Sequence, residues 1–189
     1  MDVIHVSKFV FAMIVLVSQV MSVVSILIYQ AFLRKTEVRT VLFYNVFINI
    51  TGAFLAFSFA MRWNLAWGIN DIVFLFFTDI VFGAVGMAFS TMPILALFAK
   101  LTPKRVEGTM YAFFTGTSNL DGSVIGPMMG VFINSCFVGC SKNDLSGYPK
   151  LMFIALVFSF FGFFLLPLIP LKKDVEEANK LRDEEEAKF

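Results

Sequence analysis

The chain has 189 residues, 58% of them hydrophobic and 15% charged, with a mean hydropathy of +0.81 and a net charge of +1. A soluble domain sits nearer ~45–50% apolar, and the excess here comes in blocks, so the composition excludes a soluble fold and predicts an all-α integral membrane protein. The small net charge, with cations in loops and tail, offers no surface for a nucleic acid, and the two cysteines lack the further Cys or His ligands of a structural zinc site.

Residues 1–8 read as a short exoplasmic N-terminus whose lone His5 is read as incidental rather than as a proton relay. The first apolar block, about 9–30, is too long for a signal-peptide core and has no small-residue cleavage site, so it is predicted to span the membrane. At 3.6 residues per turn, Ser18, Ser22, Ser25 and Tyr29 share one face of it. A basic loop with Arg34, Lys35 and Arg39 leads to a second span, about 41–61, whose equivalent face carries Asn45, Asn49, Gly52 and Ala56. Neither stripe suits lipid. Each is read either as contacts between packed helices, at ~0.6 kcal/mol per hydrogen bond, or as the lining of a polar cavity. Asn49-Ile50-Thr51 matches the glycosylation sequon but lies mid-span, out of reach of the enzyme, and is set aside.

The third span, about 72–98, follows a loop with Trp63 and Trp67 and places Asp79, Gly83, Gly86, Ser90 and Pro93 on one predicted face. Asp79 stands about two turns in from the outer end. A carboxylate inside an apolar span costs several kcal/mol unless it meets a cavity, a partner or a pathway. Glycines clear space beside it and proline frees a backbone carbonyl, so this face is read as the wall of a cavity. A loop with Lys100, Lys104 and Arg105 precedes the fourth span, about 109–134. There Gly122, Gly126 and Gly130 form a small-residue stripe suited to close helix packing, as Gly83 and Gly86 are in the third span, with Asn119 near the same face. Asp121 points along another flank, about 100° from Gly122.

Cys136 and Cys140 sit in one outer loop and pair as a disulfide only if it faces an oxidising compartment. The fifth span, about 151–171, leads into residues 172–189, a charged cytoplasmic tail expected to be helical at most in part. Basic residues cluster in the first and third loops and at Lys172 and Lys173, which puts the N-terminus outside and the C-terminus in the cytoplasm. The plasma membrane is the expected location, with an organelle membrane as the alternative. No nucleophile–base pair suggests an enzyme, and no cofactor or metal is implied.

The stretch from Trp67 to Gly130 carries a resemblance. Gly68-Ile69-x-Asp71 followed by Phe74 and Asp79, then Met92-Pro93, Leu101-Thr102-Pro103-x-x-x-Glu107-Gly108-Thr109 and Ser118-Asn119-Leu120 resemble the folate-biopterin transporter family, a branch of the major facilitator superfamily. Ile28-Tyr29 and the loop ending at Arg39 are similar too. The P-x-x-x-E-G-T loop is the most specific piece, and Asp71, Pro93, Pro103, Glu107 and Gly108 are the motif residues. The resemblance implies twelve spans in two halves, of which this chain would supply the last five, with the substrate cavity between halves and the N-terminal half or a partner subunit supplied separately. Asp121 stands where the family usually has a small residue, so its role is argued from the residue alone.

The implied function is alternating-access transport of folates or pterins, coupled to protons. Asp79 is the first candidate to accept the paired N–H groups of a pterin edge. Asp121 is a candidate to take up the coupled proton, and Ser90, Asn119, Asn45 and Asn49 complete the candidate site. No Arg or Lys lies deep in the spans to meet a folate glutamate tail, which favours a pterin. The alternative reading is a non-transporting structural or assembly subunit of a membrane complex.

Overall fold

A computed structural model describes residues 8–102, 106–141 and 144–186. His5, Pro103, Lys104, Arg105 and Lys142 lie outside the described residues. Five described helices are long and apolar enough to cross a membrane: Lys8–Leu33, Val38–Ala60, Asp71–Leu101, Glu107–Val138 and Tyr148–Leu168. All five expected spans are present, and most extend beyond the apolar blocks because polar end residues such as Asp71 and Glu107 belong to first turns. Asn70 caps the third span, its side chain accepting from the Ile72 N–H at 2.9 Å.

Four stretches have π geometry: Tyr29–Leu33, Thr78–Gly83, Asp121–Ile125 and Asn134–Val138. A π-turn inserts a residue into the helix and recurs at functional sites. Several hydroxyls inside the spans are satisfied by the carbonyl one turn back, as in Thr51 to Phe47, Ser58 to Phe54 and Thr78 to Phe74, each at 2.8 Å. This permits polar residues in an apolar span without a partner helix.

The second span is the centre of the packing, touching the third and the fifth, while the first packs on the third. Leu42, Val46 and Leu166 form a buried cluster with Ile94 and Phe163 against it. Phe163 also meets Phe43 and Phe47, with ring centroids at 5.7 and 5.4 Å. Close approach of the second and fifth spans depends on Gly162, where an added Cβ would stand 2.9 Å from Val46 Cγ2. Helix association in lipid rests on van der Waals fit, so Gly162→Ala should destabilise the bundle by about 1–3 kcal/mol. A thermal melt in detergent checks this; an unchanged midpoint would show that Val46 yields freely.

None of the fourth span's membrane-crossing stretch is buried. It meets its neighbours near its ends. Phe114 stacks on Phe98 at 4.3 Å toward its N-terminal end, and at its C-terminal end Val138 and Cys140 crowd Gly147. Asn134 folds the loop after the fourth span by donating to the Cys140 carbonyl and accepting its N–H, both at 2.9 Å. Cys136 and Cys140 are free thiols here. In the same loop the Ser146 N–H donates to Asp144 at 2.9 Å and holds its carboxyl below the ordinary value.

The charged C-terminal segment is more ordered than its composition suggested. It is helical over Lys172–Glu186 and lies against the start of the second span and the C-terminal end of the third. Val175 is buried, the Lys172 N–H donates to Glu37 at 3.4 Å, and Asn179 donates to the Lys100 carbonyl at 3.2 Å. One apolar residue and two tethers suffice to dock a helix that is otherwise solvated.

Candidate pathway site

Asp79 and Asp121 both fall in π-turns, and both side chains are exposed on the surface of this chain. Asp79 lies eight residues from the start of the third span, about 12 Å along the axis, and Asp121 lies fourteen residues into the fourth, about 21 Å. No carboxylate can face hydrocarbon at those depths without costing about 2.5–3.5 kcal/mol, so each face must meet water or further protein.

The first and second spans wall the Asp79 turn. Ser18 donates to the Asp79 backbone carbonyl at 3.4 Å, and Ser22 donates to Ser18 at 2.9 Å, so the serine face of the first span lies against the third. Ser25 and Tyr29 continue that face and are buried. From the second span, Gly52 stands over Phe82, its Cβ position 3.5 Å from the ring-bearing carbon, and Ile48 Cγ2 would stand 3.8 Å from a Cβ built on Gly86. Asn49 donates to the Asn45 carbonyl at 2.9 Å and is exposed, whereas Asn45 Oδ1 is buried without a partner. Thr115 in the fourth span has the same property.

Several expected groupings change. Asp79 and Gly83 are exposed, Gly86 and Ser90 are half-buried, and Pro93 is fully buried, so the five do not share one open face. The π-turn at Thr78–Gly83 supplies the reason, because its extra residue rotates everything beyond it by about 100°. The helix Ala84–Leu101 runs on through Pro93. In the fourth span, apart from the chain neighbours and the helix's own backbone, no described atom comes within 4 Å of a Cβ built on Gly122 or Gly130, and on Gly126 it meets only the Asp121 carbonyl at 3.3 Å. Among the described residues no other helix covers the stripe. Asn119 is exposed on the same span. The motif residues Glu107 and Gly108 open the fourth span and line a cleft with Thr102 and Tyr111. Sequence reasoning missed the partners of Asp71, namely Arg62 and Asn64; an Asn-Asp pair opening a helix with a cation nine residues earlier was the available signal.

This is an integral multi-pass membrane protein with carboxylates presented on two of its spans. Residues 2–187 match the BT1 family, and the chain belongs to it. It is 26% identical over 161 residues to Folate transporter 1 of Plasmodium falciparum, covering 84% of this chain and 31% of that protein. Probable folate-biopterin transporter 6 of Arabidopsis thaliana is 28% identical over 123 residues, 65% of this chain and 24% of the relative. The folate-biopterin transporter of Synechocystis is 24% identical over 155 residues, 82% and 31% respectively. The chain thus spans less than a third of the length of these relatives. No solved structure matches it.

Proposed function

We propose that this chain forms part of a secondary transporter that moves folates or pterins across a membrane by alternating access coupled to protons. The observation that carries the reading is the exposure of Asp79 and Asp121 on apolar spans. Together with relatives named as folate or folate-biopterin transporters, it supports a cavity closed by protein beyond this chain, in the manner of a two-half carrier. Asp79 would hold the substrate or the proton, and Asp121 would carry the proton. Ser90, Asn119, Asn45 and Asn49 would supply neutral hydrogen bonds. The reading makes the protein a carrier and not an enzyme.

Uptake of labelled pterin and folate into cells tests this, with the chain expressed alone and together with an N-terminal half. Accumulation above background only with both halves, and of pterin over folate, is the expected result; none in either case with well-inserted protein would overturn it. The proposed orientation, with the C-terminus cytoplasmic, has its own check. After Cys136 and Cys140 are replaced by serine, a cysteine at Ser141 should react with a membrane-impermeant thiol reagent in intact cells while one at Lys35 is protected. The opposite pattern would invert the topology.

A further inference from the structure

The corner between the second and third spans holds a network that the pathway reading leaves unused. Among the described residues Arg62 is the one non-glycine residue with positive φ, at φ 62° and ψ 24°. A left-handed conformation persists in such a residue where its surroundings over-determine it. Here they do. Arg62 Nη1 donates to Asp71 Oδ2 at 2.7 Å, and Asn64, fully buried, donates Nδ2 to Asp71 Oδ1 at 2.6 Å. Asn64 is itself tied at its backbone, where its carbonyl accepts the Ile69 N–H at 2.8 Å, and its side chain reaches the Ile69 carbonyl at 3.2 Å. Both oxygens of one carboxylate in the first turn of the third span are therefore held by the connection that follows the second.

Below this corner the third span packs against both the first and the second spans. Phe74 and Ile80 are buried, and Phe74 stacks on Phe59 with centroids 5.6 Å apart and planes 9° apart. At the Asp79 turn itself the grip is lighter: Gly83 is exposed, and the Ser18 bond to the Asp79 carbonyl is 3.4 Å long. A helix is stiff in twist over two turns, so its rotation about its own axis is set where side chains grip it firmly. We infer that Arg62, Asn64 and Asp71 are positioning residues whose clasp fixes the rotation of the third span and so the direction in which Asp79 is presented. The inference rests on the reading that Asp79 faces the pathway.

The test reads position, not transport. In a background with Cys136 and Cys140 replaced by serine, the protein carrying Asp79→Cys is reconstituted in liposomes, and its reaction rate with a small water-soluble methanethiosulfonate is measured. Asp71→Asn removes the charge that Arg62 grips. Arg62→Gly removes the cation while suiting the left-handed backbone. Each is expected to change the rate at position 79 by about tenfold, the scale on which small misplacements are felt, with a reporter at Asn119→Cys in the fourth span holding within about twofold. Rates at position 79 within about twofold of the intact clasp would overturn the proposal, and so would equal changes at both reporters, which would mean general loosening. Labelling needs no substrate, so it decides the clasp even if the chain carries no pterin. Conversely, uptake that survives Asp79→Asn removes the pathway reading and leaves the labelling result standing.

Discussion

Asp79→Asn is expected to abolish concentrative uptake by the complete transporter while insertion and expression stay near normal. The substitution keeps the shape of the side chain and one acceptor oxygen, so the serine contact to the Asp79 backbone carbonyl is untouched. What it removes is charge. A charge-assisted hydrogen bond contributes about 1.5–3 kcal/mol, so substrate affinity alone should fall by about 10–100-fold. A group that also takes up the coupled proton cannot do so as an amide, and the dependence of uptake on the pH gradient should vanish with the accumulation. Counterflow, which needs no gradient, separates the two roles: it survives if Asp79 carries only the proton and fails if Asp79 holds the substrate. Full uptake with an unchanged pH profile in well-expressed protein would make Asp79 a structural residue.

The depth of Asp79 and the identity of the five spans were legible because hydropathy needs no knowledge of rotation. Facing directions were harder. Periodicity at 3.6 residues holds only while the helix stays α, and the π-turns at Thr78–Gly83 and Asp121–Ile125 break it at the two carboxylates. A π-turn is chosen by the packing around it, in which Phe82 lies beside Gly52, and no local sequence signal announces it. The serine face of the first span was visible as a stripe, but only the structure shows that it rests on the Asp79 turn. The extent of the C-terminal helix was underestimated for a related reason: docking by one apolar residue, Val175, and two hydrogen bonds leaves almost no apolar periodicity to read. Nothing local in the sequence marks the backbone conformation of Arg62, which aims it at Asp71 and is a tertiary outcome.

The glycine stripe of the fourth span gives the second large effect. Gly122→Leu and Gly130→Leu should leave the stability of this chain in detergent within about 0.5 kcal/mol, because both positions open onto empty space and changes at such surfaces are usually small. With the proposed covering half present the outcome should differ sharply. A stripe of small residues lets helix backbones approach closely, and leucine there would hold them apart, so assembly and uptake should fall by at least about tenfold. Phe132→Leu, on an exposed flank of the same helix, serves as the control and should leave both unchanged. Co-purification of a tagged N-terminal half reads assembly directly. If Gly122→Leu and Gly130→Leu co-purify and transport as well as the parent, the stripe faces lipid, and the surface closing over Asp121 must be sought on the flank of the fourth span that carries Asp121 itself.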